Sequence, residues 1–412
     1  MDFGTLLMYG TFYFSLFTGI FFLLSLLENR GGLSNPRPGR IPSVCIAVPA
    51  FNEEKTISKT IRSLLALDYP KGLLTIIVVD DGSTDSTGRI SRAFEKQGVK
   101  VFAKKNGGKA SALNFALKRA NAELFGALDA DSFVRPDALR KMVGFFENPS
   151  VMAVTPSLKV YSPRGVLQKV QYMEYLLGVY LRKVFAFLDS IHVTPGPFTI
   201  YRRSFFERHG GYEEDNPTED IEIALRLQEN NYWIENSVYA SVYTVAPGSF
   251  MGLLRQRIRW YTGFLLNVMR HRSLFSARHG HLGMFVLPGS LVSILLVVIT
   301  LFYALYVFVF RIIFRGYLNL RAVNFDFLQF FKPVFDPFRI NIGASTYVLV
   351  LSLALGIVMV CIAKRMGRER VKVGVFYLFY LAIYWVLFGF WWVVSFFHLL
   401  SGKKVAWGQR QL

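Results

Sequence analysis

Four stretches of this chain contain no Asp, Glu, Lys or Arg: 3–27, 283–310, 340–363 and 373–402. About 20 apolar residues suffice to cross the hydrocarbon core of a bilayer, so each predicts a transmembrane helix. Buried core helices of that length would ordinarily carry some charge. The first stretch is no signal peptide, because only Asp2 precedes it, the apolar run is too long, and Glu28-Asn29-Arg30 follows. It reads as a retained anchor. Charged residues make up 18% of the chain against about a quarter in soluble proteins, which fits this reading and excludes disorder. Two cysteines, Cys45 and Cys361, are too few for a zinc site or a disulfide framework.

Residues 28–282 carry 34 Lys/Arg and 24 Asp/Glu, a water-facing composition, and hold the candidate chemistry. The remainder, 283–412, carries 13 Lys/Arg against 3 Asp/Glu, so half of the net charge of +19 lies beside membrane spans. Contact with lipid headgroups accounts for that position; no basic stripe or nucleic-acid motif is present, and no nucleic-acid partner is expected. The segment 364–372 packs five Lys/Arg close together, whereas 311–339 spreads five over a run about three times as long. The denser connector is expected to be cytoplasmic. Four spans then put the large domain in the cytoplasm and both termini outside, although the basic tail (Lys403, Lys404, Arg410) counts the other way. The expected organisation is a first span at 3–27, a domain at 41–249, interfacial helices at 250–282, a second span at 283–310, a connector at 311–339, and spans at 340–363 and 373–402.

Within the domain, apolar runs at 43–49 and 74–79 predict buried strands, and 99–103 and 123–128 predict two further strands. Ile57, Ile61, Leu64 and Leu65 recur at helical spacing; a polar helix is predicted over 84–97 and another over 109–120. Strands alternating with helices predict an α/β fold with a mostly parallel sheet, whose ligands bind beyond the carboxyl ends of the strands. Those ends read Pro49-Ala50-Phe51-Asn52, Asp80-Asp81-Gly82 and Asp129-Ala130-Asp131. Neither a GxGxxG fingerprint after the first strand nor a P-loop is present. Asn106-Gly107-Gly108-Lys109 opens a helix, so backbone amides and a lysine could meet an anion there, or the loop could be plain surface.

Asp129 and Asp131 stand side by side after a strand, and two such carboxylates repel unless a cation or ordered donors offset them. Hard divalent ions use one or two carboxylates plus substrate phosphates; an Asx-type turn is the other reading. Thr218-Glu219-Asp220 precedes a half-buried helical pattern, which suits an N-cap with an acidic first turn or a general base. Arg255-Gln256-Arg257-Ile258-Arg259-Trp260 packs three guanidinium groups and an indole before the second span. They suit a phosphate site or an interfacial helix extending its arginines to headgroups, and both can hold.

In this order and with these gaps, Pro49-Ala50-Phe51-Asn52-Glu53, Asp80-Asp81-Gly82-Ser83, Asp129-x-Asp131, Thr218-Glu219-Asp220 and Gln256-x-x-Arg259-Trp260 resemble the membrane-integrated family-2 glycosyltransferases. That family includes the cellulose, chitin, hyaluronan and poly-N-acetylglucosamine synthases. One span before the domain and three after it resemble the poly-β-1,6-N-acetylglucosamine synthases most. The resemblance implies a GT-A-type, Rossmann-like catalytic domain between transmembrane helices, with amphipathic interfacial helices at 172–188 and 251–275. It implies an inverting transfer from a UDP-sugar, UDP-N-acetylglucosamine favoured, to a growing polysaccharide at the plasma membrane, with Mg²⁺ or Mn²⁺ as cofactor.

On this resemblance Pro49, Ala50, Asn52, Glu53 and Asp81 hold the uridine, and Asp80 supports the turn. Lys109 lies near the nucleotide; Asp129 and Asp131 bind the ribose, diphosphate and metal. Asp220, beside Glu219, is the base toward the acceptor hydroxyl. Gln256, Arg259 and Trp260 close over the donor. Pro195 stands where relatives often have serine in the acceptor-side loop. Self-association or a small membrane subunit would widen a thin secretion channel. Two rivals stay open: transfer of one sugar to a polyprenyl phosphate or glycolipid, and a non-catalytic scaffold or transporter. The absence of charge inside the spans argues against a transporter.

Overall fold

The computed structural model describes residues 2–322, 324–325, 343–369 and 374–402. Lys332, Arg339, Arg370, Lys372 and the tail with Lys403, Lys404 and Arg410 lie outside the described residues. In chain order the main elements are α1 (Phe3–Glu28), β1 (Val44–Ala50), α2 (Ile57–Leu65), β2 (Leu74–Asp80), α3 (Thr87–Arg92), β3 (Lys100–Ala103), α4 (Lys109–Leu117), β4 (Leu124–Ala127), β5 (Ser132–Val134) and α5 (Arg140–Val143). There follow β6 (Val151–Val160), α6 (Val166–Phe187), β7 (Thr199–Arg202), α7 (Arg203–His209), α8 (Glu219–Glu229), β8 (Trp233–Thr244) and α9 (Phe250–Arg270). The chain then forms the long helix α10 (Leu282–Ala322), α11 (Ala344–Gly367) and α12 (Gly374–Leu400).

Every residue of β1 is buried, because apolar helices cover both faces of the sheet. Ile46 and Val48 point into one core with Ile57, Ile61 and Leu64 of α2. Their neighbours Cys45 and Ala47 point into a second core with Ala112 and Leu113 of α4. The strand order is β3-β2-β1-β4-β7-β6-β8-β5. The pairs up to β4 are parallel, as the alternation predicts, but β4–β7, β6–β7 and β5–β8 are antiparallel. The sheet is therefore mixed. The link from β4 to β5 is too short for a parallel crossover, so β5 joins the far edge instead.

The predicted polar helix at 84–97 is shorter in the structure: α3 spans Thr87–Arg92, with a separate 3₁₀ turn at Glu95–Gln97. Its polar start is spent on the loop. Thr84 N–H donates to Asn52 Oδ1 at 2.9 Å, and Asp85 Oδ1 accepts from Thr87 N at 2.9 Å. Short polar side chains compete with helix hydrogen bonding in this way.

Among the described residues four helices are long and apolar enough to cross a membrane. The second, α10, has 41 residues, about 60 Å at 1.5 Å per residue, and its helical backbone continues past Phe310 through Arg311 and Arg315. Between the spans and the sheet lie α6 and α9. Phe22 of α1 packs edge-on against Phe185 of α6, and Tyr261 of α9 stacks on Trp392 of α12 at 4.3 Å and 9°. After α11 the chain folds back onto the sheet domain. Glu369 pairs with Lys159 of β6 at 2.9 Å and accepts from the Tyr172 hydroxyl of α6 at 2.9 Å.

Candidate active site

The carboxyl ends of β1, β2 and β4 open on one side of the sheet. Pro49 and Ala50 still belong to β1 and are buried, so they offer the site no side chain; the Ala50 carbonyl accepts from Asp81 N at 2.9 Å. Asn52 follows in the left-handed region with φ of 54°, a conformation asparagine tolerates. Its N–H donates to Ser83 Oγ at 3.0 Å, which joins the loops after β1 and β2. Glu53 N–H donates to Thr87 Oγ1 at 2.7 Å, and its carboxylate accepts from Thr56 Oγ1 at 2.7 Å. Asp80 Oδ1 accepts from Ser83 N at 2.9 Å and so closes the turn.

Asp81 is fully buried. It accepts from Lys104 Nζ at 2.7 Å, from Gly107 N at 3.1 Å and from Gly108 N at 2.7 Å. The anion held by the Asn106-Gly107-Gly108-Lys109 loop is thus a side chain of the protein itself. Gly108 has φ of 89°, which a residue with a Cβ rarely adopts, and it lets the chain turn straight into α4.

Lys109, the first residue of α4, is buried and draws the other two elements together. Its Nζ lies 2.6 Å from Asp129 Oδ1 after β4 and 2.8 Å from Glu219 Oε1 at the start of α8. Burial opposes its charge, but Asp129, Glu219 and Asp220 outweigh burial and raise its pKa. The two neighbouring acids of α8 are driven apart. Burial alone would raise Glu219, yet Lys109 and Arg259 hold it below the usual carboxylate range. Asp220 is pushed up to about 6 by burial and by the charge of Glu219. Two carboxylates whose environments separate their pKa values mark an acid–base division of labour.

Arg259 of α9 donates to the Pro217 carbonyl at 3.3 Å. Gln256, one turn earlier, has its Oε1 buried without a hydrogen-bond partner. Trp260 lies under the Arg257 guanidinium, 4.5 Å from the ring centroid. Arg257 itself is turned inward, 1% exposed, and forms a two-pronged pair with Glu174 of α6 at 2.7 and 2.6 Å. Of the two uses expected for these arginines, phosphate binding or headgroup contact, Arg257 serves neither. A cavity of about 260 Å³ opens between Gly107, Lys109, Glu214, Asn216 and Glu219.

Residues 45–210 match the family described as "Glycosyl transferase family 2". This chain carries a family-2 glycosyltransferase domain. The poly-beta-1,6-N-acetyl-D-glucosamine synthase of Staphylococcus epidermidis is 28% identical over 390 residues, 93% of this chain and 90% of the relative. The synthase of the same description from Staphylococcus aureus is 30% identical over 228 residues, 54% of this chain and 55% of the relative. A mannosyltransferase of Pyrobaculum calidifontis, solved with GDP-Man and Mn²⁺, superposes with a TM-score of 0.55 at 17% identity, over 95% of this chain and 99% of that one. The chain has the GT-A-like, Rossmann-type sheet, and its enzyme class is glycosyl transfer.

In this glycosyltransferase the residues after β4 suit a divalent ion. Asp129 and Asp131 are both partly exposed hard oxygen donors, and Asp131 Oδ1 accepts from Ser132 Oγ at 3.3 Å. Gly196 keeps the approach clear: a Cβ there would stand 3.2 Å from both Asp129 oxygens and collide with Lys109 Nζ. Among the described residues no three or more His, Cys, Asp or Glu gather into a closed metal cage. A Mg²⁺ or Mn²⁺ sharing two carboxylates with substrate phosphates needs no such cage.

Sequence reasoning placed Thr218 at the N-cap but missed the residues that support it. Thr218 occupies the N-cap position, but its hydroxyl accepts from Asn267 Nδ2 at 2.9 Å instead of capping a helix amide. Thr194 Oγ1 donates to the Asp220 carbonyl at 2.8 Å. The spacing of Asn267 from Arg259, two helical turns, could have marked it; nothing local marks Thr194 or the Arg257–Glu174 pair.

Proposed function

We propose that this chain transfers a sugar, with inversion, from a UDP-sugar to the end of a growing β-linked polysaccharide, UDP-N-acetylglucosamine being the favoured donor. The likeness to two synthases of poly-beta-1,6-N-acetyl-D-glucosamine, one over most of the chain, supports the sugar and the polymer. The observation that carries the chemistry is Asp220, with its pKa raised to about 6, beside Arg259 and the Lys109–Asp129–Glu219 cluster.

An acceptor hydroxyl is too weak an acid to attack unaided. In this reading the Asp220 carboxylate takes its proton as the oxygen bonds to the anomeric carbon. The bond from that carbon to the diphosphate oxygen breaks on the opposite face, and UDP departs with the electron pair. Arg259 and Lys109 oppose the charge gathering on the diphosphate, where electrostatic stabilisation counts most. When bound, Mg²⁺ or Mn²⁺ on Asp129 and Asp131 supplies Lewis-acid neutralisation of that same charge. Gln256 and Trp260 flank the donor, and the unpartnered Gln256 Oε1 is an acceptor awaiting a ligand hydroxyl. The loops holding Asn52, Glu53 and Asp81 shape the uridine site.

The reading extends to a multi-pass plasma-membrane protein with its catalytic domain in the cytoplasm. The Lys159–Glu369 pair supports it, since it ties the basic end of α11, with Lys364, Arg365 and Arg368, to the catalytic domain on one side of the spans. The acceptor is a polysaccharide chain end or a lipid-linked sugar, and a second copy or a small membrane subunit is a fitting partner.

The test is UDP release by lipid-reconstituted protein across a panel of UDP-sugars with Mn²⁺ or Mg²⁺, with products sized on a gel. One productive donor and a high-mass, glycosidase-sensitive product is expected. A product one sugar larger than an added lipid acceptor would replace the polymer by a single-transfer reaction.

A further inference from the structure

The face of α9 that carries Gln256, Arg259 and Trp260 continues beyond the motif. Positions 259, 263, 267 and 270 recur at three- and four-residue spacing and therefore share one stripe of the helix. Each meets the segment that precedes Glu219 and Asp220. Arg259 donates to the Pro217 carbonyl, and Arg270 pairs with Glu213. Gly263 lies so close to Thr218 that a Cβ would collide with the threonine side chain. Asn267 is completely buried and is the centre of a small amide network. Its Nδ2 donates to Thr218 Oγ1 at 2.9 Å and to Asn216 Oδ1 at 3.1 Å, and its Oδ1 accepts from Asn216 Nδ2 at 2.7 Å. Asn216 Oδ1 in turn accepts from Thr218 N at 3.1 Å.

A leucine at 267 would fill buried space on the inner face of a helix and ask for no partner. An asparagine there leaves a polar group to satisfy, which costs stability unless its geometry is met, so the network specifies one arrangement of the two segments. The segment it fixes ends at the two acids of α8; the helix it fixes carries the residues that face the donor in the proposed reading.

We infer that Asn267, through Asn216 and Thr218, is a positioning residue that sets the distance between Asp220 and the Gln256–Arg259–Trp260 face of α9. The inference rests on the reading of Asp220 as the base. It makes the base and the donor-facing residues one rigid unit, so that the acceptor oxygen and the leaving diphosphate are held in line by the same stripe of contacts.

The experiment compares wild type, Asn267→Ala, Asn216→Ala and their double variant in lipid, measuring kcat and KM for the UDP-sugar and calorimetric binding of UDP. A displacement of about 1 Å in such a unit costs on the order of 10- to 100-fold in rate. We expect that loss in kcat for Asn267→Ala, with KM and UDP affinity within about twofold, and no further loss in the double variant, because both changes break one network. If Asn267→Ala does not fold, Gly263→Ala wedges the same contact from the neighbouring turn and should give the same loss confined to kcat. Wild-type kcat in Asn267→Ala, or a parallel loss of kcat and UDP binding in both Asn267→Ala and Gly263→Ala, overturns the inference. Asp220→Asn, run beside them, separates the two claims: its inactivity keeps the base whatever Asn267 does, and its activity removes the base itself.

Discussion

On the side of the site built from the ends of β1 and β2, the polar groups are bonded to other parts of the protein. Asp81 accepts from Lys104 and from two backbone amides, Asn52 bridges to Ser83 and Thr84, and Glu53 is held by Thr56 and Thr87. On the side built from β4, α8 and α9, three carboxylates crowd around Lys109 and Arg259, and Gln256 presents a buried oxygen with no partner. The first side is finished without a ligand and contributes shape. In the proposed reading the second is where the diphosphate and the cation bind. Substitutions on the first side should therefore weaken donor binding evenly, and those on the second should strike the chemical step.

The sharpest break would come at Asp220. Asp220→Asn is expected to lower kcat on the order of 10²- to 10⁴-fold while calorimetric UDP binding survives. Lost UDP binding would move Asp220 to the shaping side. Next, Asp131→Ala should abolish the metal dependence of donor binding and lower turnover on the order of 10²-fold; an unchanged Mn²⁺ titration would refute its assignment. The pH profile gives an intermediate effect. Burial and Glu219 raise Asp220 to about 6, so its carboxylate is present above that value and is lost below it. kcat/KM should fall about tenfold per unit below pH 6 and level off above it, and a flat profile down to pH 5 would exclude this carboxylate as the base.

Asp81→Asn tests the first side. Losing the charge that anchors Lys104 and the loop amides should raise donor KM about tenfold with kcat nearly unchanged. A matching fall in kcat would erase the division between the two sides. Smallest is Asn52: with φ of 54° it tolerates glycine, whereas Asn52→Ala should cost about 1–2 kcal/mol in a thermal or denaturant melt, with little change in kcat.

The long apolar helices, the parallel strands and their acidic ends are legible in the sequence, because each writes a local signature: a charge-free run, a β-rich apolar segment, a pair of aspartates. The antiparallel half is not, since β4 and β7 are far apart in the chain and pair at Leu124–Arg202 through a register no local pattern announces. The inward Arg257 is hidden for the same reason. A run of Arg255, Arg257 and Arg259 looks like a solvated or phosphate-facing cluster until α6 brings Glu174 to the middle one. The resemblance puts Lys109 near a nucleotide, yet its two carboxylate partners at 2.6 and 2.8 Å come from the end of β4 and the start of α8, segments that only the folded sheet brings to it.

Tyr261 follows Trp260 and stacks flat on Trp392, while the Arg257 guanidinium sits 5.3 Å from the Trp391 ring. The helix bearing Arg259 and the last long apolar helix are thus joined ring to ring, with Trp391 and Trp392 both buried. A tilt of α12 would press on α9 through this stack, two residues from Arg259. Lipid thickness is one of the loads a spanning helix meets, so turnover measured in vesicles of graded acyl-chain length is expected to vary with that length.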